Sequence, residues 1–227
     1  MKRFALISVL SVCALCLSAQ GYRMELGAMG GVASYMGDAN QQFFNNCEPS
    51  LSFLGRYHFN QRFSLKGDLG WRQLSGSTVG RSEQFPQGKD LSFLNQVFDG
   101  NVQMELNFYE YGAPDYKPGS SRISPYVGAG IGLLVFEAQQ GWKTTACVPL
   151  SIGVKYKTPF RVNLGIELSY HIGFSDELDH EAGREDFQLS TPWMGQSAWN
   201  KNKDHFAELK CFITYDLWYI GSNCYKE

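Results

Sequence analysis

The sequence predicts an all-β fold, an eight-stranded antiparallel up-and-down transmembrane β-barrel with a plugged polar interior. Three observations predict it. An export-type leader opens the chain, eight later stretches alternate apolar and polar residues, and the connections between those stretches alternate in length.

The leader is MKRFALISVLSVCALCLSAQ: basic Lys2 and Arg3, an apolar middle from Phe4 to Leu17, and a small-residue exit at Ser18-Ala19-Gln20. It reads as a secretory signal over residues 1–20, cleaved after Ala19 or Gln20, and is too short and too weakly flanked for a membrane anchor. Cys13 and Cys16 raise the alternative of a lipid-modified cysteine. Val12, however, puts a bulky residue where such a site takes Gly or Ala. Residues 21–227 then form one barrel domain.

The first strand reads as Tyr22 to Tyr35, with Leu26, Ala28, Gly30 and Val32 on one face and Glu25 on the other. Side chains alternate across a strand, so each such pattern is one apolar wall and one polar wall. Strand two, Glu48 to Phe59, sets Leu51, Phe53, Gly55, Tyr57 and Phe59 against Ser50, Ser52, Arg56 and His58. Asn60-Gln61-Arg62 turns tightly into strand three, Phe63 to Leu74, where Phe63, Leu65, Leu69 and Trp71 oppose Ser64, Lys66, Asp68 and Arg72. In strand four, Val97 to Tyr109, the face Asp99, Asn101, Gln103, Glu105 and Asn107 is wholly polar. Strand five, Ser124 to Phe136, places Gly128, Gly130 and Gly132 opposite Val127, Ala129, Ile131, Leu133 and Val135, leaving room inside for bulky partners. Strand six is Cys147 to Tyr156, and Lys157-Thr158-Pro159-Phe160 turns into strand seven. That strand, RVNLGIELSYH from Arg161 to His171, has the cleanest alternation of all. Strand eight, Phe206 to Leu217, sets Leu209, Cys211, Ile213, Tyr215 and Leu217 against Glu208, Lys210, Thr214 and Asp216.

An antiparallel sheet on a soluble core alternates in the same way. The leader and the connection lengths favour the membrane barrel, whose periplasmic turns are short and outer loops long. Connections after strands two and six are very short, whereas Ser75–Gln96 and Ile172–His205 are long. One connection departs from the pattern: Tyr109 to Arg122, YEYGAPDYKPGSSR, is long on the short-turn side. Tyr111, Asp115, Tyr116, Lys117 and Arg122 are therefore the expected contacts for a periplasmic partner, and the tail ending GSNCYKE lies on that same side.

Composition excludes several classes. The chain carries 20 basic and 22 acidic residues, a net charge of −2, and losing Lys2 and Arg3 with the leader gives −2 − 2 = −4. That is no nucleic-acid binder. After the leader no apolar run reaches 18 residues, which excludes a helical span.

A barrel this small has a lumen that side chains fill. The inward ions Arg56, Lys66, Asp68, Glu105, Glu167, Glu208 and Lys210, with Glu25, His58, Arg72, Lys155, His171 and Asp216, must therefore pair with one another. Cys47 and Cys147 lie at the starts of strands two and six on one membrane side, which makes a disulfide between them available without fixing it. Cys211, on the apolar face, reads as a small hydrophobe. Glu167, Ser169 and His171 share one face of strand seven, and a Ser beside a His makes an activated nucleophile where geometry allows. They face inward, away from any lipid substrate, so no catalytic residue is assigned. Asp176, Asp179, His180, Glu181, Glu185, Asp204 and His205 populate the last loop without metal-ligand spacing, and no metal or cofactor is assigned either.

The segment MELGAMGGVASYMGDAN resembles the small barrel proteins of Bacteroidota outer membranes, in which an E-x-G start leads through glycines to Tyr-x-Gly-Asp. Here those residues are Glu25, Gly27, Gly30, Gly31, Tyr35, Gly37, Asp38 and Asn40. PSLSFLGRYHFNQRFSLKGDLGWRQLSG is similar to that family's second hairpin and SPYVGAGIGLLVF to its fifth strand. Within the family, the PorG-like barrel subunits of the type IX secretion system are the most similar. The resemblance implies a non-enzymatic outer-membrane anchor in a Gram-negative, Bacteroidota-like cell, surrounded by outer-membrane lipid. Its implied partners are periplasmic ring proteins of PorK and PorN type, in a machine that exports proteins bearing a C-terminal signal. Two other classes remain open: an adhesin-like barrel binding through its outer loops, and a lipid-modifying barrel enzyme.

Overall fold

The computed structural model describes residues 22–36, 46–77, 92–112, 119–138, 141–174 and 205–219. Within them run eight strands: β1 (Tyr22–Met36), β2 (Glu48–His58), β3 (Phe63–Ser77), β4 (Ser92–Asn107), β5 (Ile123–Ala138), β6 (Gly141–Lys157), β7 (Val162–Gly173) and β8 (His205–Tyr219). Each pairs antiparallel with its neighbour in sequence. β1 also pairs with β8, from Tyr22↔Tyr219 to Met36↔His205, and the sheet closes into the predicted barrel.

Turn chemistry sets the end at which β1 starts and β8 ends. Asn60 heads the β2–β3 turn, where its Oδ1 accepts from the backbone N–H of Arg62 at 2.8 Å and of Phe63 at 2.7 Å. Asn side chains stabilise turns in this way by satisfying nearby donors. In the β6–β7 turn the Thr158 hydroxyl donates to the Val162 carbonyl at 2.6 Å, and Arg161 sits at φ 63. Short turns mark this end as periplasmic.

The walls separate by parity. Leu51, Phe53, Leu69, Ile131, Leu133, Ile152, Ile166 and Ile213 stand exposed on the outside. Such a band is stable only against hydrocarbon, and this is an outer-membrane-type barrel. The described residues contain no helix long and apolar enough to cross a membrane.

The sequence reading stops three strands short at the outer end. β3 runs to Ser77, β4 starts at Ser92 and β6 starts at Gly141, which makes β5–β6 a tight hairpin instead of a loop. The reason is a reversal of polarity. Tyr35, Leu74, Val97, Leu134, Phe136 and Phe206 turn inward and are fully buried there, while Gln73, Ser75, Gln96, Glu137 and Thr144 face outward. Above the hydrocarbon the exterior meets water, so the strands continue with their apolar face inside. Gly141, at φ 106, supplies a positive-φ position where β6 begins.

Candidate functional site

Side chains from every strand fill the lumen. Glu25, Arg56, Arg72, Glu105, Tyr126, Lys155, Glu167 and Lys210 are each almost fully buried. Glycines permit this at the tightest crossings. At Gly132 an added methyl would overlap the Asn101 side chain and press on the Cys147 sulfur.

The ions fall into two layers. In the periplasmic layer Arg56 lies between Glu25, at 2.9 Å, and Glu105, at 2.8 Å. Lys155 also pairs with Glu105, and Lys157 pairs with Asp216 at 2.9 Å. Lys66 holds both oxygens of Glu167 at 2.7 Å, and the Tyr126 hydroxyl donates to the same carboxylate. Four carboxylates (Glu25, Glu105, Glu167, Asp216) thus face four cations (Arg56, Lys66, Lys155, Lys157), with His58 on Glu25 at 2.8 Å. Such a layer carries no excess charge, as a low-dielectric site requires.

In the outer layer Glu208 gathers Arg72 at 2.8 Å, Lys210 at 2.9 Å and His171 at 3.1 Å. Arg72 also pairs with Asp99, and Asn101 donates to Asp68 at 2.9 Å. Arg72 lies 4.7 Å over the Phe206 ring, on which His171 stacks. Met29, Leu54, Tyr126 and Phe212 form a separate inward cluster within the barrel.

Arg56, Lys66, Asp68, Glu105, Glu167, Glu208 and Lys210 all sit in these layers. Ser169 and His171 reach the same acid, Glu208, at 3.4 and 3.1 Å, and both are buried inside the wall. Sequence parity understated Lys157, assigned to a turn but buried against Asp216, whereas Asp99 sits on the polar face of strand four as expected and pairs with Arg72.

The Cys47–Cys147 pairing is corrected. Because β6 starts at Gly141, Cys147 lies well inside the strand, where its Sγ points into the lumen 3.6 Å from Asn101 Oδ1. It is a free, buried thiol, whereas Cys47 is exposed at the outer end. A water-soluble maleimide is expected to leave Cys147 unmodified in the folded barrel and to label it after denaturation. Peptide mass spectrometry reads both states. Cys211 faces outward, into the lipid band.

The long β4–β5 connection has an ordered base. The Tyr111 N–H donates to the Gln61 carbonyl at 3.2 Å, Gly112 N–H to Ser121 at 3.1 Å and Ser121 N–H to Glu110 at 2.7 Å. An isolated bridge joins Tyr111 and Ser121. Tyr111 was expected to touch a partner, but its ring is 3% exposed and closes the barrel mouth instead. Lys157 and Lys155 approach the ring at 4.9 and 5.7 Å, and His58 tilts against it at 6.0 Å. A cationic cluster favours an aromatic face over water here. Burial, reinforced by the Glu25 carboxylate, pushes the Tyr111 phenol well above its ordinary range and keeps it neutral. Arg122 is half-buried at the foot of the connection, beside exposed Tyr109 and Glu110. Asp115, Tyr116 and Lys117 lie outside the described residues, as do residues 176–204 of the last loop. Among the described residues no three acids, histidines or cysteines gather as a metal site.

The sequence profile of a family described as a domain of unknown function, DUF6089, matches residues 2–215. The chain belongs to that family. No curated protein matches it. Among solved structures this DUF6089 barrel is similar to Neisserial surface protein A, at 14% identity over 86% of this chain and 97% of that one, with TM-score 0.51. It is also similar to the N-terminal β-barrel domain of Pseudomonas aeruginosa OprF, at 12% identity over 87% and 100%, TM-score 0.44. A third is Ail, the attachment invasion locus protein of Yersinia pestis, at 10% identity over 86% and 99%, TM-score 0.43. At such identities the likeness extends to the barrel fold alone.

Proposed function

We propose that this protein is a non-enzymatic outer-membrane anchor of a secretion machine, of the PorG-like kind in the type IX system, and that it docks a periplasmic ring of PorK and PorN type. The observation that carries this reading is the β4–β5 connection. A periplasmic turn needs only two to five residues to join antiparallel strands, yet this one is long and built on a hydrogen-bonded base fixed to Gln61 and Ser121. A long segment held on an ordered base is a presentation device. The filled lumen supports the same reading, because an immobile barrel with paired interior ions suits an anchor better than a conduit. The resemblance of the first strand, second hairpin and fifth strand to secretion-system barrels supplies the identity of the partner.

In the anchor, the apolar wall holds the chain in the bilayer and the ionic layers stiffen it. Tyr111 seats the connection on the mouth, so contact falls to Asp115, Tyr116, Lys117 and Arg122. Substituting Asp115, Tyr116 and Lys117 together by alanine leaves the Tyr111–Ser121 base in place. Ring capture by the purified barrel is expected to fall at least tenfold, on the order of the loss of one interface hot spot, with folding unchanged. Undiminished capture would remove the connection as the docking element.

A further inference from the structure

The periplasmic mouth is covered by a side chain that enters from beyond the barrel ladder. β4 ends at Asn107, and the three residues after it, Phe108, Tyr109 and Glu110, are all exposed. Tyr111 reverses that course and turns its ring back over the lumen, where it is buried. Its main-chain support is local. The Tyr111 N–H donates to the Gln61 carbonyl at 3.2 Å, and an isolated bridge joins it to Ser121. Neither contact is a rung of the barrel sheet, so Tyr111 can move without the loss of a strand pair.

Two opposing effects act on the ring. The inward position removes its apolar body from water and turns its face to Lys157 at 4.9 Å and Lys155 at 5.7 Å, which favours it. The same position strips water from the phenol hydroxyl, which has no hydrogen-bond partner among the described residues. A buried donor left unsatisfied carries a penalty that solvent would relieve. Tyr126, also buried in the lumen, has no such penalty, because its hydroxyl donates to Glu167. The inward position of Tyr111 is therefore favoured by its ring and opposed by its hydroxyl.

We propose that Tyr111 is a lid with two positions, in over the mouth or out in the periplasm. Its position sets whether water and small ions reach Lys155, Lys157, His58 and Glu25 at that end of the lumen. The lid opens no passage across the membrane, because Tyr35, Leu74, Phe136 and Phe206 fill the outer end separately. Only the cause of opening rests on the docking reading: a partner that grips the β4–β5 connection pulls on the segment that carries Tyr111. By linkage, such a partner binds more tightly once the position it favours is already populated.

The test uses the purified full barrel in detergent, with no partner present, so a failure of docking leaves its result untouched. A water-soluble acetylating reagent is added, and peptide mass spectrometry follows the modification rates of Lys155 and Lys157. Lys210, in the outer ionic layer, reports global unfolding. Tyr111→Ala removes the lid and is expected to speed acetylation of Lys155 and Lys157 on the order of tenfold, with Lys210 unchanged. Tyr111→Phe keeps the ring and removes the unpartnered hydroxyl, so the lid stays in and acetylation is expected to slow about fivefold relative to the native barrel. Heat-modifiable gel mobility verifies folding, and Tyr111→Leu takes the place of Tyr111→Ala if the smaller side chain prevents it. Unchanged rates in Tyr111→Ala, an acceleration that Lys210 shares, or a Tyr111→Phe barrel acetylated as fast as the native one overturns the lid.

Discussion

Replacing Arg56 by methionine is expected to cost the barrel about 3–5 kcal/mol, the range for breaking a buried ion pair from one side. Arg56 has a fully buried side chain, held between the equally buried Glu25 and Glu105. Its loss leaves four carboxylates facing three cations in the periplasmic layer, where burial shields the excess from bulk solvent. The guanidinium also lies 5.1 Å from the Phe212 ring and 5.9 Å from Tyr126, so the packing of the central cluster weakens with it. Urea unfolding in lipid vesicles measures the cost. The double variant Arg56→Met, Glu25→Gln separates charge imbalance from lost packing. It leaves Glu105 with Lys155, Glu167 with Lys66 and Asp216 with Lys157, so each remaining ion keeps a partner. More than half of the lost stability is expected to return. A double variant as unstable as the single one would mean that packing, not charge, sets the cost.

Gly27→Val is expected to damage the barrel at its closing seam. A methyl built on Gly27 would overlap the carbonyl oxygen of Ile213 and press on the Thr214 backbone. The obstruction is main chain, which cannot rotate aside as a flexible side chain would. Gly31 meets the Leu209 carbonyl and the Lys210 backbone in the same way, so β1 approaches β8 closely at the two inward positions that flank Met29. Relief requires β1 to move away from β8 and to weaken ladder pairs on either side of Gly27↔Thr214. The cost is expected at or above ~3 kcal/mol, the upper end for overpacking, and it should appear as loss of heat-modifiable mobility on gels. Gly67→Val is the control, because the nearest atom to an added methyl there is the Asn101 carbonyl oxygen at 3.9 Å. Equal damage at Gly67 would point to strand propensity instead of the seam.

The fold was legible because a membrane barrel writes its two environments into alternate residues. In β7 every second residue from Val162 to Tyr170 is apolar, and on the alternate face Asn163, Glu167, Ser169 and His171 are inside. Legibility failed where that contrast reverses. Beyond the hydrocarbon, Leu74, Val97 and Phe136 turn inward, so a pattern tuned to apolar-outside ended β3 at Leu74 and began β6 at Cys147. Because β6 begins at Gly141, Cys147 lies within the strand and not at its start beside Cys47. The inward Met29, Leu54, Tyr126 and Phe212 were equally hidden, because parity predicts polarity inside and says nothing of the apolar side chains that pack among the buried ions.

At the candidate site the sequence marked the segment but not the division of labour within it. An overlong turn from Tyr109 to Arg122 is visible as Pro, Gly and polar residues on the wrong side of the length pattern. That Tyr111 would fold back over Lys155 and Lys157 depends on cations brought by β6, more than forty positions along the chain, and no local pattern contains that information.

The anchor role is tested most directly by affinity purification of the tagged protein from native outer membranes in mild detergent, with mass spectrometry of what accompanies it. Periplasmic ring proteins and their lipoprotein, recovered in stoichiometric amounts with and without crosslinking, are the predicted result. A barrel recovered without them, even from crosslinked membranes, would contradict the anchor and turn attention to the outer loops.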